Sequence, residues 1–394
     1  MPQRIRGCLL VAPAVAGLTV IAGCSSGHGT DARRSDPTAI RVTASQCAPG
    51  WSPQHAGREH FTVSNATRVT TRVTLIDSVT GGIYGQVWQL GAGTSRPLDI
   101  VVPAGKYRWR CVPITGPATV STAAAVTGSG GKGVRPLMPL SSEEINDAMS
   151  EYQTEVQRGI DALAPATDRL RAAIQSGDLA AARSRWLTAH LAYEQLGAAY
   201  GTFGDLDGEI NGRPDGLPKG VHDKGFTGFL RVEYGLWHDE SATSLRPVVD
   251  ALDAAVHKLA TTFPHQQVVA ADIPLRAHEI LENTLQFELT GDTDQGSHTN
   301  LATARANTVG SLLVLKVLTT QLQQRDPGLQ GSATKDLTAL AAQFGGYRRG
   351  GRWTPLTALS RTRREQLDAA TGRVLEELAL IPNILQMPPS TAPT

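Results

Sequence analysis

Histidines and carboxylates stand at helical spacing in the second half of this chain, at positions where a helical protein usually has leucine or alanine. His190 and Glu194 are four residues apart in a segment of helical periodicity, so their side chains are neighbours on one face. Glu233 lies in the apolar and aromatic run 227–237, and a carboxylate buried there needs polar partners. Because helical bundles build metal sites from Glu and His side chains of facing helices, these residues predict a metal site.

A third group, His278, Glu279 and Glu282, has the same three- and four-residue spacing. Oxygen-rich ligation with one or two imidazoles suits ferric or ferrous iron, manganese, calcium or zinc. A helix-surface pair is the alternative interpretation of His190 and Glu194, and a solvated helix face is the alternative for the third group. Spacing alone leaves these alternatives open.

The segment Phe203–Pro214 lies between the first two groups and carries Asp205 and Asp207. Its glycines and aspartates predict a loop. Aspartates in such a segment serve more often as turn formers and caps than as ligands. Asp207 is nevertheless counted among the candidate metal ligands.

Helical periodicity dominates from Ser141 onward. Ser141 and Glu144 have the spacing of a capping box, which predicts that a helical domain begins here; we place it over 141–385, with a short tail over 386–394. Short connections favour one or two antiparallel bundles. The predicted helices are 142–175, 179–200, 246–262, 273–289, 299–324, 333–344 and 363–380.

Residues 39–126 follow a different pattern. Short segments alternate apolar and polar residues, and Gly-, Pro- or Asn-containing breakers separate them. This pattern predicts a small antiparallel β-sandwich. A Gly/Pro-rich linker over 127–140 connects it to the helical region.

The N-terminus has the features of an export signal. Two arginines within the first six residues precede an apolar run over 8–22, which is short for a membrane-spanning helix of roughly 20 residues. Small residues end the run and Cys24 follows them. We predict a lipoprotein signal peptide over 1–23, a lipid on Cys24 and a flexible tether over 24–38. An ordinary secretory signal or an uncleaved anchor is the alternative.

Cys47 and Cys111 are the two cysteines left once the signal peptide is removed and Cys24 carries a lipid. In an oxidising compartment outside the cytoplasm, unmodified cysteines usually pair. A disulfide between them is therefore the expectation.

The overall charge excludes one class of partner. The formal net charge at pH 7 is +1. Proteins that bind nucleic acid need a basic surface for the phosphates, so we expect no nucleic-acid partner.

Four sequence blocks of the helical region resemble the EfeO branch of the imelysin (M75 peptidase-like) family. They occur in the family's order and cover nearly the whole helical region. The strand region more faintly resembles the cupredoxin-like domain that precedes it in that branch, with Cys47 near its start and Cys111 near its end. The blocks are Trp186–Glu194, Ala198–Pro214, Phe226–Trp237 and Leu275–Phe287.

This resemblance implies a non-enzymatic, lipid-anchored component of an Efe-type iron uptake system, at the outer face of the cytoplasmic membrane, periplasmic or on the cell surface. Such a component captures iron and works with a membrane permease and a haem-containing peroxidase. The implied fold is two four-helix bundles with a metal site in the helical domain. Glu194, Glu233 and the Glu279/Glu282 pair match acidic positions of that site. Zinc and copper are the alternatives to iron.

The sequence departs from the family at one ligand position. The signature Gly-x-His-x-x-Glu reads here from Gly228 to Glu233, with Leu230 in place of the histidine. Leucine has no lone pair, so a site built on that histidine must lose a ligand or recruit another. The candidate replacements are His190, His222 and His278.

The strand region departs as well. Residues 66–75 lack the acidic side chains expected near a cupredoxin-like metal site. Copper would require His, Cys and Met together, whereas this region offers His55, His60 and two cysteines. A structural disulfide is the better interpretation of those cysteines.

Three functions follow as hypotheses. The first is metal capture and transfer to a permease. The second is hydrolysis, which needs at least two His ligands, an open coordination position and a general base, and the chain has no His-Glu-x-x-His motif. The third is a relative that has lost its metal, as Leu230 suggests, and acts as a binding or scaffold partner. We expect the first, with the third as its alternative.

Overall fold

The computed structural model describes residues 38–52, 55–266, 268–269 and 272–385. The predicted signal peptide, Cys24 and the tail 386–394 lie outside these residues. Strands occupy 38–126 and helices follow from 142 to 384. The predicted order of a strand region and a helical region is confirmed.

The strand region consists of two sheets. The strands are β1 (Thr38–Val42), β2 (Gly57–Asn65), β3 (Thr71–Asp77), β4 (Ile83–Leu90), β5 (Ser95–Val102), β6 (Gly105–Pro113), β7 (Thr119–Val120) and β8 (Ala124–Val126). One sheet has the strand order β1-β2-β5 and the other the order β4-β3-β6-β7, with β8 also paired to β6.

Strand β1 is parallel to β2, so the prediction of an antiparallel sandwich is wrong for this pair. The connection between the two strands spans 43–56, which gives it the length of about a dozen residues that a parallel crossover needs. The other pairs among these eight strands are antiparallel.

The two sheets share one apolar core. Val73 on β3 and Trp109 on β6 are buried with Phe61 and Val63 on β2. The Phe61 and Trp109 rings meet edge to face with their centroids 5.2 Å apart, which is a favourable geometry for aromatic pairs. The sheets are thereby fixed face to face.

Strand β4 contains Gly85, which interrupts its alternating pattern. A Cβ atom at Gly85 would lie 2.9 Å from side-chain carbons of Ile100 on β5. The glycine is therefore required by the close approach of the two strands.

A disulfide links the segment after β1 to β6. The sulfur atoms of Cys47 and Cys111 are 2.02 Å apart and their Cα atoms 5.6 Å apart. Both cysteines are buried in the sandwich core.

The helical region forms two four-helix bundles, as the resemblance implied. The helices are α1 (Ser142–Ser176), α2 (Leu179–Glu194), α3 (Tyr200–Phe203), α4 (Asp205–Asn211), α5 (Gly228–Trp237), α6 (Ala242–Thr262), α7 (Ile273–Asn283), α8 (Asn300–Val317), α9 (Thr319–Arg325), α10 (Pro327–Gly345), α11 (Arg361–Leu378) and α12 (Ile381–Ile384). In the first bundle, α1 packs on α2 and α6, and α5 packs on both α2 and α6. In the second, α8 packs on α7 and α10, and α11 packs on α7 and α10; α2 also packs on α8 and joins the bundles. A two-stranded hairpin, β9 (Arg348–Arg349) and β10 (Arg352–Trp353), lies between α10 and α11.

The prediction of a loop over 203–214 is wrong, because helix α4 occupies Asp205–Asn211. Leu206 and Ile210 are four residues apart and both are buried, so the segment has the apolar stripe of a core-facing helix despite its glycine and aspartates. Asp205 and Asp207 lie in its first turn.

None of the described helices is by itself long and apolar enough to cross a membrane. Helices α8 and α9 together reach the length and composition of such a span, but they are bent by 65° relative to each other. Most residues of α8 are buried in the fold.

Candidate metal centre

A polar pocket of about 160 Å³ lies where the two bundles meet. Helices α2, α4 and α5 of the first bundle contribute to its wall, and α7, the segment after it and α8 contribute from the second. The lining residues are His190, Glu194, Tyr200, Asp207, Asn211, Arg213, Leu230, Ile280, Asn283, Phe287, Glu288, Thr293 and Asn307.

His190 and Glu194 are both buried at the C-terminal end of α2. His190 Nε2 lies 3.0 Å from Glu194 Oε1, yet neither ring nitrogen makes a hydrogen bond of good geometry within the described residues. The imidazole is held instead by stacking on Trp186, with ring centroids 4.8 Å apart. The helix-surface interpretation of this pair is therefore wrong, and a buried imidazole without hydrogen-bond partners is available as a ligand.

Two asparagines orient the Glu194 carboxylate. Asn211 on α4 donates from Nδ2 to Glu194 Oε1 over 2.8 Å. Asn307 on α8 has its amide nitrogen towards Glu194, the orientation in which both ends of the amide make hydrogen bonds. The nitrogen donates to Glu194 Oε2 over 2.9 Å, and the amide oxygen accepts from Thr284 Oγ1. The carboxylate is thus fixed by amides from both bundles, and no Lys or Arg among the described residues forms an ion pair with it.

Glu288 brings a second buried carboxyl group into the pocket. Thr293 Oγ1 donates to its Oε1 over 2.6 Å, and Asn300 Nδ2 lies 3.3 Å from Oε2. Burial, together with the negative charge of nearby Glu194, raises the pKa of Glu288 to about 8. A bound cation would reverse this effect by stabilising the ionised form.

Glu288 was not among the predicted ligands, and it lies in a π-helix, Thr284–Glu288, rather than in an α-helix. A π-turn adds a residue to the turn and rotates the following side chains away from the faces that a 3.6-residue repeat predicts. The available signal was an acidic residue between Phe287 and Leu289 in an apolar run, which is the same signal that singled out Glu233.

The third predicted group lies outside the pocket. Glu279 is half-exposed and forms an ion pair with Arg276, at 2.7 Å. Glu282 is exposed, and its Oε1 is 3.8 Å from His278 Nε2. The face of α7 that reaches the pocket carries Ile280 and Asn283 instead.

Glu233 lies beside the pocket and anchors a loop. It is buried on α5, and its Oε1 accepts hydrogen bonds from the backbone N–H groups of Gln295 and Ser297, at 3.1 and 3.0 Å. Burial raises the pKa of Glu233 to about 8, although these bonds act in the opposite direction. With His190 and Glu288, Glu233 lines a small cavity next to the main pocket.

Leu230 is buried and lines both cavities. The position that carries the family's histidine therefore faces this site. Gly228, two residues earlier, has a φ of +80°, and a Cβ atom there would lie 2.2 Å from the carbonyl oxygen of Ile210. The first glycine of the signature is thus needed to start α5 against α4. His222, another candidate replacement, lines neither cavity.

Asp207 faces the pocket from α4. Its Oδ1 accepts a hydrogen bond from Tyr193 Oη over 2.6 Å. Burial raises the pKa of Asp207, and the Tyr193 bond partly offsets this. Burial also raises the pKa values of Tyr193 and Tyr200 well above their usual range, so both phenols remain protonated donors.

The pocket carries more acidic than basic groups. Glu194, Glu288 and Asp207 line it, and Arg213 is the one cationic side chain among the described lining residues. The Arg213 guanidinium stacks over the Phe287 ring, 3.9 Å from its centroid, and pairs with Asp215. Buried carboxylates without cationic partners, next to an imidazole with free nitrogens, fit a hard or borderline metal ion.

A second group that could hold a cation lies on the outer side of the first bundle. Ligand atoms of Asp168, Asp253 and His257 lie within 4.8 Å of one another. Asp168 and His257 are about half exposed, and the Arg171 guanidinium is 4.0 Å from Asp253. This nearby positive charge makes the group less suited to a cation than the pocket between the bundles.

Comparison with known proteins places the chain in a family. Residues 148–381 match the model of the imelysin family, Peptidase_M75. The iron uptake system component EfeO of Escherichia coli O157:H7 is 24% identical over 373 residues, which are 93% of this chain and 96% of that protein. The proteins of the same name from E. coli K12 and Shigella flexneri are each 23% identical over the same lengths. These matches confirm the resemblance to EfeO-type proteins, and the chain belongs to the imelysin family.

Proposed function

We propose that this protein captures iron in the pocket between its two helical bundles, as a non-enzymatic component of an Efe-type uptake system. The observation that carries the proposal is the convergence of Glu194 and Glu288 on His190, a buried imidazole with no hydrogen-bond partner among the described residues. Relatives that cover 93% of the chain are named as iron uptake components, which supports the same role here.

The ligand set suits iron in either oxidation state. Carboxylate oxygens and one imidazole are the donors that hard and borderline ions prefer, whereas the described lining residues include no Cys or Met sulfur for copper(I). In this proposal Glu194, Glu288 and His190 bind the ion, and Asp207 and Asn211 complete or orient the shell. Glu233 holds the loop that carries Thr293, and Leu230 leaves the position of the family's histidine without a donor.

Capture and release are coupled to protons in this arrangement. Glu288 has a pKa raised to about 8, so at neutral pH the metal displaces a proton when it binds. The affinity for the metal is therefore lower at a pH where the Glu288 carboxyl is protonated than at a pH where it is ionised. A fall in local pH would favour release.

The proposal extends to location and partners. A lipid on Cys24 would hold the protein at the outer face of the cytoplasmic membrane, where it would deliver iron to a membrane permease and work with a haem peroxidase. Cell fractionation of a Cys24→Ser variant tests the anchor. We expect the parent protein in the membrane fraction and the variant in the soluble fraction.

Metal titration of the purified protein tests the capture itself. We expect one tight iron site in the parent protein, and a loss of about 100-fold in affinity in Glu288→Gln, because roughly 2.7 kcal/mol is lost with a charged ligand. Glu282→Gln is the matched control, since it makes the same change on the exposed face of the neighbouring helix. Equal affinity in both variants would contradict the assignment.

A metal-free scaffold is the alternative function, and Leu230 is the observation that favours it. This alternative predicts that the parent protein binds iron no more tightly than Glu288→Gln does.

Hydrolysis has less support, because His190 is the one imidazole among the described pocket residues and zinc peptidases use two or more protein nitrogens or an equivalent set. Unchanged iron affinity in a His257→Gln variant would exclude binding at the outer group of Asp168, Asp253 and His257.

A further inference from the structure

Three arginines share one face of the five-stranded sheet. In the ladder between β3 and β6, Thr74 stands opposite Arg110 and Ile76 opposite Arg108. Side chains alternate along a strand and directly paired residues point to the same side. Arg72, two residues before Thr74, therefore lies on the same face as Arg108 and Arg110, which is the face that points away from the sandwich core.

These arginines line a cavity of about 340 Å³. Trp88 on β4 forms one side, and the Arg72 guanidinium lies over its ring, 5.1 Å from the centroid. Pro139, from the chain that leads into the helical region, forms part of the rim. The cavity lies within the range of about 300–1,000 Å³ that is usual for small-molecule sites.

The positive charge of this cavity is not balanced. No acidic side chain is among its lining residues, and within the described part of the chain none of the three guanidiniums has an ion-pair partner within 4.0 Å. The Nε atoms of Arg72 and Arg108 are buried and have no hydrogen-bond partner there. Burial, and then the charge of Arg110, lowers the pKa of Arg72.

Clustered guanidiniums repel one another, and buried donors without acceptors lose their hydration. Both costs are removed by an anion with several oxygen acceptors. A guanidinium offers its donors as a planar fork that fits a carboxylate or phosphate with two parallel bonds.

We propose that this cavity binds a small oxyanion that carries at least two negative charges, a polycarboxylate or a phosphate. Three guanidiniums on one face, with no carboxylate beside them, match the charge of such a ligand, and Trp88 closes one side of it. The site is separate from the metal pocket and does not depend on the proposed iron capture.

Calorimetric titration of the purified protein with citrate, inorganic phosphate and acetate tests this site. We expect saturable binding of citrate with one molecule per chain, weaker binding of phosphate, and no saturation with acetate. Arg110→Gln should weaken citrate binding about tenfold, the effect of losing one charge-assisted hydrogen bond. Arg96→Gln is the matched control, because Arg96 is exposed on β5 in the other sheet, and it should change the affinity less than twofold.

Tryptophan fluorescence provides a readout in the parent protein. Citrate should change the emission, and Trp88→Phe should remove that change, so the proposal stays testable if Arg110→Gln does not fold. Cosedimentation with phosphatidylglycerol vesicles, lost in Arg110→Gln, would identify a lipid headgroup as the source of the phosphate. Equal citrate affinity in Arg110→Gln and Arg96→Gln, or no saturation by any of these anions or vesicles, would overturn the proposal.

Discussion

The two regions of this protein place charge in opposite ways. The strand region gathers arginines around a cavity on the outer face of a sheet, whereas the helical region buries carboxylates between two bundles. The arginines share a face because of strict alternation along β3 and β6. The carboxylates meet where α2 ends at Glu194, α4 begins near Asp207 and the π-helix after α7 ends at Glu288. A sheet thus presents its charged groups by simple periodicity, while the bundles position theirs at breaks in periodicity.

The regions also differ in what stabilises them. The sandwich has a small core, and a disulfide closes a loop of 64 residues in sequence separation within it. The helical region has an extensive core that runs through both bundles. Small cores depend more on covalent links than large ones do.

The largest expected effect is loss of the disulfide. In a Cys47→Ser/Cys111→Ser variant we expect the strand region to lose about 4 kcal/mol of unfolding free energy, the loop-entropy value for this separation. Calorimetry should show the strand-region transition shifted and the helical transition unchanged. A shift of both transitions by the same amount would show that the two regions unfold as one unit.

For a single group, the pH dependence of the metal-free protein should be the next largest effect. Because the pKa values of Glu233 and Glu288 are raised to about 8 from about 4.3 in the unfolded chain, their stabilising contribution is complete below about pH 4 and is lost as the pH rises to 8. We expect each of the two groups to cost the helical region roughly 3.5 kcal/mol of unfolding free energy between pH 5 and pH 8 in the presence of a chelator. Glu288→Gln should flatten this slope; an unchanged slope in that variant would contradict the assignment.

Leu230→His should restore a donor to the pocket. We expect iron affinity to increase about tenfold, or about 1.4 kcal/mol, because a further imidazole faces the ion. Leu275→His on the exposed face of α7 is the control and should have no effect. Isothermal titration of both variants measures the difference, and weaker binding in Leu230→His would indicate that the pocket has no room for the ring.

The smallest expected effect concerns Glu279. It forms an ion pair with Arg276 and lies outside the pocket, so Glu279→Gln should leave iron affinity within twofold of the parent value. Competition with a coloured iron chelator measures this. A loss comparable to that in Glu288→Gln would move the site to the outer face of α7.

Much of the fold was predictable from the sequence. The capping box at Ser141 and the change from alternating to helical periodicity located the two regions, and the structure has the capping box as expected. Helix α4 was missed because the burial of Leu206 and Ile210 decides its structure more than its glycine does. This outcome depends on tertiary contacts that local composition does not contain.

The candidate site was predictable only in part. His190 and Glu194 line the pocket and Glu233 lies beside it, as their positions on predicted helices or in an apolar run indicated; Asp207 also lines the pocket, although from a helix where a loop was predicted. Glu279, Glu282 and His278 lie elsewhere, and the acidic group that this segment contributes to the pocket is Glu288, at the end of a π-helix that a 3.6-residue repeat does not predict. Asn211 and Asn307 reach Glu194 from other helices, and their role follows from three-dimensional packing alone.

Anomalous diffraction at the iron edge from crystals of the iron-loaded protein tests the central proposal most directly. We predict one dominant peak between the bundles, within coordination distance of Glu194, Glu288 and His190. A peak at Asp168, Asp253 and His257, or in the strand region with none between the bundles, would contradict iron capture at this pocket.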